Sequence, residues 1–518
     1  MPSKFPPYVE ALLDPSTYPQ HPAAVELQQT QMSFIFLTGE YAYKTKKPVD
    51  LGYLDYTTLE KREYFCRQEL ELNRRLCPAG YLDVIPVTQS PAGIRLGGEG
   101  KVIEYAVKMK QLPRDRMMDL LLTLDKVTPA MLKQVAGLMA DFHSRAATGP
   151  AINAYGSLEG IRTNTDENFD QTVKYINTLI PENFHHMIRE YTDKFLSGNT
   201  SLFNNRVSGG KIRDCHGDLH AAHVCFGDQI YIYDCIEFND RFRYCDTASE
   251  IAFLAMDIDR YGRADLSDSF VKDYIGAGND RELGDLLDFY KCYRAYVRGK
   301  VSCFKHDDPY LKDKKAIEQE ARLYFNLAYR YAFPKPVLII TTGLIGSGKT
   351  TAATAAGRGL GCAVLSSDVV RKELAGIPPT ERHYDGFASG LYSPQSTQQT
   401  YNELFRRAGE LLEKGRPVVL DASFMKRSDR LAAHQLAVKY GAAFLAVECT
   451  VPDETIRQRL EERSRAGSVS DGRWEIFADI KKEFDPVTEV APMEHLILDT
   501  ASSSGNIIAL LLQRINAL

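Results

Sequence analysis

Gly343-Leu-Ile-Gly-Ser-Gly-Lys-Thr350 satisfies the pattern G-x-x-x-x-G-K-[ST] at every fixed position. Glycines at this spacing let consecutive backbone N–H groups wrap a polyphosphate, and the helix that follows adds partial positive charge at its N-terminus. The stretch lies where that chemistry needs it. Before it, Val337-Leu-Ile-Ile-Thr-Thr342 is a β-branched run of the kind that forms a buried parallel strand. After it, a helix is predicted over Thr350 to Arg358. Lys349 would reach the β- and γ-phosphates of ATP and Thr350 would hold Mg²⁺. Gly343, Gly346, Ser347, Gly348 and Thr351 complete the expected nucleotide-binding set.

Downstream, apolar runs alternate with helical patterns, as a doubly wound parallel sheet requires. Cys362 to Asp368 reads as a second strand ending in a carboxylate, with Arg371 three residues further along the next helix. Pro417 to Asp421 reads as a third strand whose terminal acid suits a magnesium role, and Ala442 to Val447 as a fourth. An arginine cluster follows at Arg457, Arg459, Arg463 and Arg465, with Arg473 beyond. The pattern resembles the P-loop kinases that include zeta toxins, gluconate and shikimate kinases and the kinase half of polynucleotide kinases. That resemblance covers roughly Pro336 to Leu518. It implies that Asp368 and Arg371 contact the phosphate acceptor, and that Arg457 and Arg463 come from a lid onto the transferring phosphate. The bland readings are an N-cap for Asp368 and a solvated helix face for the arginines, paired with Glu461 and Glu462.

Upstream, the boundary falls near Tyr331-Ala-Phe-Pro-Lys-Pro336, where prolines separate an amphipathic helix, Ile317 to Tyr331, from the strand. Domains are therefore expected at 1–333 and 334–518. Near the start, Ser33–Leu37 and Glu40–Lys46 flank Thr38-Gly39 and read as a β-hairpin. A helix follows over Thr58 to Leu76, then a strand over Lys101 to Lys110, with mostly helical patterns from Thr128 to Ser197 and again from Asp246 to Tyr331. A second hairpin turns at Gly227-Asp228.

The densest cluster of chemistry in this half is Cys215-His-Gly-Asp-Leu-His-Ala-Ala-His223, with Asp234 delivered by the strand Ile230 to Tyr233. A short hairpin between them brings Asp218 and Asp234 into one cleft. This resembles the aminoglycoside phosphotransferases and their protein-kinase relatives, in which H-x-D carries the base and a later Asp holds the metal. The resemblance implies Asp218 as base, Asp234 as Mg²⁺ ligand and His216 as a brace. It implies Lys44 as the nucleotide lysine, with Lys46 as rival on the same strand face. It implies Glu69 as the lysine's partner, ahead of Glu63 and Glu71, and Met109 to Leu112 as the segment receiving adenine. His223 stands where the family pattern has Asn, the second metal ligand, which would favour Mn²⁺. No GxGxxG occurs between the first strands, and Gln31 to Ser33 would cover the phosphates instead. Taken together, the motif order is similar to bacterial fusions of an aminoglycoside phosphotransferase-like domain with a P-loop kinase domain.

Composition agrees with a globular enzyme. The 518 residues are 44% hydrophobic and 25% charged, with net charge −5 and pI about 6.2, so no basic field draws nucleic acid. Prolines interrupt the first residues, and no apolar window reaches a membrane-spanning length. Cys215, Cys225, Cys235 and Cys245 recur at intervals too long for a zinc site. Ten scattered cysteines with no CxxC pair suggest reduced thiols in the cytoplasm. The expected architecture is an α+β protein-kinase-like domain followed by an α/β P-loop domain with a parallel sheet. The expected function is a bifunctional ATP-dependent phosphotransferase with a small-molecule acceptor such as a sugar or sugar derivative. The alternatives are a polynucleotide kinase, a toxin-like kinase of a cell-wall precursor, and a nucleotide-gated regulator with a degenerate N-terminal domain.

Overall fold

A computed structural model describes residues 5–308, 313–378, 390–466, 474–502 and 504–516. The strands, in chain order, are β1 (Glu26–Gln29), β2 (Ser33–Leu37), β3 (Tyr41–Lys46), β4 (Tyr81–Ser90), β5 (Gly93–Leu96), β6 (Lys101–Lys110), β7 (Ile212–Asp214), β8 (Val224–Phe226), β9 (Ile230–Ile232), β10 (Tyr244–Asp246), β11 (Val337–Thr342), β12 (Ala363–Ser366), β13 (Val418–Asp421), β14 (Ala443–Thr450) and β15 (His495–Asp499). Two compact units emerge. The first comprises Met1–Asn164, Leu196–Leu254 and Ser269–Leu287; the second comprises Thr165–Phe195, Ala255–Asp268 and Asp288–Leu518.

The first unit holds an antiparallel sheet in the order β1-β2-β3-β6-β4-β5. Strand alternation gives its faces different characters. Phe34, Phe36 and Tyr43 join Tyr8, Val9, Leu12 and Tyr18 in an apolar cluster. In register, Ile35 pairs with Lys44 and Ser33 with Lys46, so both lysines share the opposite face. Helix Leu59–Asn73 accompanies that face, capped by Thr58, whose hydroxyl accepts from the Lys61 amide. Its buried residues, Arg62, Cys66, Glu69 and Asn73, recur at helical spacing, yet three of them are polar. They are satisfied in pairs: Arg62 with Glu104 at 2.7 Å, Glu69 with the lysines, and Asn73 with the Cys235 amide at 2.8 Å.

The second unit holds a parallel sheet in the order β12-β13-β11-β14-β15. Apolar side chains cover both faces. Ala352, Ala356, Leu360, Ile507 and Leu511 pack on one; Val370, Leu404, Ala408, Leu412 and Ala433 pack on the other. With β11 central, the chain crosses in both directions from it, and open sheets of this kind bind ligands outside the carboxyl ends of their strands. Among the described residues no helix is long and apolar enough to cross a membrane.

Candidate functional sites

In the first unit, Ile35, Leu37, Ala42, Lys44, Met109 and Tyr233 line a cleft of about 850 Å³, with His223 and Asp234 at its wall. Glu69 is fully buried between two ammonium groups. Its Oε1 lies 2.9 Å from Lys44 Nζ and its Oε2 2.8 Å from Lys46 Nζ. Lys44 also reaches Asp234 Oδ1 at 2.7 Å. Lys46 pairs with Glu237, which accepts from the Tyr56 hydroxyl at 2.6 Å. Only Lys44 of the two lines the cleft; Lys46 is 1% exposed and braces from behind. Burial alone would strip charge from these groups. It pulls the Lys44 pKa down, but Asp234 and Glu69 outweigh it and hold the ammonium well above its ordinary range. Burial raises Glu69, and Lys44 and Lys46 bring it below its ordinary value.

Asp234 stands in the left-handed region at φ 63°, a conformation costly for a side chain other than glycine's and concentrated at functional sites. Burial raises its carboxyl, but Lys44 and His223 depress it below the usual range. His223 Nε2 lies 3.5 Å from Asp234 Oδ2, and its Nδ1 lies 3.5 Å from Asp218 Oδ2. The hairpin β8–β9 therefore brings Asp218, His223 and Asp234 together.

Beneath the loop, the Glu250 carboxylate accepts the His216 amide at 3.0 Å, the Gly217 amide at 2.6 Å and His143 Nε2 at 2.8 Å. Gly217 is at φ 87°, and a Cβ there would stand 2.9 Å from the Phe242 carbonyl. Burial raises the Glu250 pKa, yet these hydrogen bonds and the neighbouring histidines take it to about 2. Glu250 and His143 have no local motif: the interaction joins positions 107 residues apart.

In the second unit, Gly343, Gly346 and Gly348 all have positive φ, at 136°, 76° and 88°. A Cβ on Gly343 would meet the Cys449 carbonyl at 2.6 Å, and one on Gly348 would meet Thr500 Oγ1 at 2.5 Å. The loop thus closes against its surroundings only with glycine at these positions. Helix Lys349–Leu360 begins at its end. Lys349 Nζ donates to the carbonyls of Gly343 at 3.1 Å and Leu344 at 2.8 Å. Asp421, at the end of β13, is buried. Burial raises its carboxyl, opposed by a hydrogen bond from the Thr350 side chain and by Lys349, and assisted by Asp368. Those three sequence-predicted residues therefore converge on Asp421. The Ser347 hydroxyl, also in the loop, is buried with no hydrogen-bond partner among the described residues.

Asp368 lies in the first turn of helix Ser367–Leu374 and is half-buried. Arg371 on that helix is 7% exposed. Its Nη1 donates to the Leu391 carbonyl at 2.9 Å and to Thr397 Oγ1 at 3.2 Å, and its guanidinium covers the Tyr392 ring. Arg457 is exposed and pairs with Glu461 at 3.0 Å, one turn along its own helix. The side chain of Arg463, and all of Arg473, lie outside the described residues. Among the described residues, Arg459, which sequence reasoning left without a role, touches the glycine loop. It donates to Thr500 Oγ1 and to the Thr500 carbonyl, each at 3.0 Å, and to the Gly346 carbonyl at 3.5 Å. Thr500 Oγ1 in turn donates to the Ser347 carbonyl at 2.6 Å. Nothing local in the sequence marks Thr500.

These features define a nucleotide-type P-loop domain, and the AAA domain family matches residues 338–487. Curated relatives match along most of the chain. The uncharacterized protein Rv2004c of Mycobacterium tuberculosis is 30% identical over 456 residues, 88% of this chain and 89% of its own. Mb2027c of Mycobacterium bovis, also named uncharacterized, matches with the same figures. The chain belongs to the family of these mycobacterial proteins. Among solved structures, a choline/ethanolamine kinase family protein from Mesorhizobium loti is similar at 12% identity, with 62% of this chain and 98% of that chain covered and a TM-score of 0.38. A gluconokinase from Sinorhizobium meliloti is similar at 20% identity, with 36% and 93% covered and a TM-score of 0.26.

Proposed function

We propose that the protein is a cytoplasmic, bifunctional ATP-dependent phosphotransferase that phosphorylates hydroxyl groups of small molecules such as sugars or sugar derivatives. Its halves would be a phosphotransferase-like domain over 1–333 and a P-loop kinase domain over 334–518. The observation that carries the reading is the convergence of Lys349, Thr350 and Asp421 at a loop of positive-φ glycines. The oxygen donors of Thr350 and Asp421 fit Mg²⁺, and the buried Ser347 hydroxyl fits a phosphate oxygen. A bound Mg²⁺ supplies neutralisation of phosphate charge. The chain's own part is positioning: backbone amides cradle the phosphates, Lys349 offsets charge on the transferring group, and Asp368 with Arg371 orients the acceptor.

In the first unit, Lys44, held by Glu69, would orient the nucleotide phosphates, Met109 would border the base, and Asp218 would take the acceptor proton. Asp234 and His223 present a mixed oxygen and nitrogen donor set, which accepts Mg²⁺ and suits Mn²⁺ better. Arg457 and Arg463 would close over the P-loop site from the helix that carries Arg459.

The test is a phosphoryl-transfer screen of sugars, aminoglycosides, nucleosides and oligonucleotides with the full chain and two variants, Lys349→Ala and Asp218→Asn. Each variant should abolish one of two separable activities, with a loss of about a thousandfold or more for Lys349→Ala. ATP consumption unaffected by both changes would refute the reading.

A further inference from the structure

Three histidines surround Asp218 in sequence, and the backbone decides which nitrogen of each ring carries the proton. The Asp218 amide donates to His216 Nδ1 at 3.3 Å. An amide cannot accept, so this nitrogen holds a lone pair, and His216 Nε2–H donates to the Tyr233 carbonyl at 2.9 Å. His220 is fixed the same way. The Ala222 amide donates to its Nδ1 at 3.3 Å, leaving the proton on Nε2, which lies 3.5 Å from Asp218 Oδ2. His223 is inverted. Its Nδ1 lies 2.9 Å from the Asp218 carbonyl oxygen, which can only accept. In the neutral ring the proton therefore sits on Nδ1, and Nε2 presents its lone pair toward Asp234 Oδ2, 3.5 Å away, where a cation would bridge the two.

We propose that His220 is the positioning residue of Asp218, and not a ligand of the cation that the proposed function gives to His223 and Asp234. The consequence for turnover rests on the phosphotransferase reading of this cleft; the division of roles does not. Donor atoms of Asp218, His220 and His223 lie within 4.8 Å of one another, which by distance alone would suit a three-ligand metal site. Proton placement excludes His220 from it. Ligation through Nε2 would move the ring proton to Nδ1, where it would face the Ala222 N–H donor to donor. His220 is also 6% exposed, and its ring lies 3.9 Å from that of His223, tilted by 34°. The ring is thus confined with Nε2–H toward the carboxylate. Held at Oδ2, Asp218 keeps one orientation and uses Oδ1 to take the acceptor proton. The cation pair that remains, one imidazole nitrogen and one carboxylate oxygen, prefers Mn²⁺ to Mg²⁺.

The bland alternative is that His220 only caps the short 3-10 turn Ala221–His223. Two substitutions in the full chain separate the roles. Asn places an acceptor where Nδ1 stood, keeping the cap and losing the donor to Asp218. Gln places a donor near Nε2, losing the cap. In a Lys349→Ala background, His220→Asn should lower kcat about 10- to 100-fold with KM for ATP unchanged, and His220→Gln should restore most of the loss. Two readouts need no turnover. Imidazole nitrogen NMR of histidine-labelled protein should report His220 and His216 protonated on Nε2 and His223 on Nδ1, with Asp218→Asn moving the His220 Nε2 resonance. Pulsed EPR with Mn²⁺ alone should detect one nitrogen coupling, lost in His223→Asn and retained in His220→Asn. An Nδ1-protonated His220, a nitrogen coupling lost in His220→Asn, or an unchanged kcat in an active His220→Asn protein would overturn the proposal. Tautomers and coupling as expected, in a protein that phosphorylates no hydroxyl, would leave the proposal standing and sink the phosphotransferase reading.

Discussion

Replacing Glu250 with Gln keeps the shape of a buried group and removes its charge. Wild-type Glu250 faces two amide N–H groups and His143 Nε2; Gln would turn an NH₂ toward one of these donors. The size of the effect follows from the carboxyl's own titration. Its pKa is about 2 in the folded protein against an ordinary glutamate value of 4.5. By linkage, that difference corresponds to about 3 kcal/mol of stability at neutral pH. The sign is fixed: a depressed carboxyl stabilises above its unfolded pKa, and the stabilisation fades as pH falls from 4.5 towards 2. Gln does not titrate, so the cost of Glu250→Gln should be largest at pH 7 and shrink by roughly 1 kcal/mol by pH 3.5. Urea unfolding of both proteins across this range, followed by circular dichroism, measures it. A cost below about 1 kcal/mol at pH 7, or one that does not change with pH, would refute the assignment of Glu250 as the charged support of the His216–Asp218 loop.

Other outcomes follow from the same geometry. Gly348→Ala should destabilise the second unit by roughly 1–3 kcal/mol and weaken ATP binding, because the residue stands at φ 88° and a Cβ would lie 2.5 Å from Thr500 Oγ1; calorimetry would show both. Lys46→Met should lower the stability of the first unit by roughly 3–5 kcal/mol, since it leaves Glu237 and Glu69 buried with one fewer cation, and a chemical melt no different from wild type would count against that. Lys44→Met should act mainly on nucleotide affinity, measured by titration calorimetry with ATP. Arg459→Ala should weaken ATP binding by loosening the glycine loop, whereas Arg457→Ala should leave ground-state affinity unchanged.

The hairpin β2–β3, strand β6, the hairpin β8–β9 and the first strands of the parallel sheet were all legible, because each is a short apolar or alternating run bounded by glycine or by charge. Strands β1, β4, β5, β7, β10 and β15 were not. Strand β15 ends the sheet, and Ile497 on it is 64% exposed, so its pattern lacks the continuous apolarity that marks β11. In β4, Pro86 and the half-buried positions blur the alternation. Helix Leu59–Asn73 shows how burial can run against hydropathy: its inward residues are Arg62, Glu69 and Asn73, intelligible only once Glu104, Lys44 and Lys46 are known to face them. The placement of Asp218, Asp234, Lys349 and Asp421 was legible because each sits at a fixed offset from a turn or strand end. Arg459, Thr500, Glu250 and His143 act across long separations, and no local spacing encodes a partner found only after folding.

The hydroxyl of Thr500 fastens the glycine loop from far along the chain. During synthesis the loop leaves the ribosome well before β14, β15 and Thr500 do. A nascent chain that already contains Gly343 to Thr350 therefore carries the phosphate-binding sequence without the brace that shapes it. Nucleotide affinity in this unit should appear late in translation, once β15 and Thr500, the residue after it, have docked at the sheet edge.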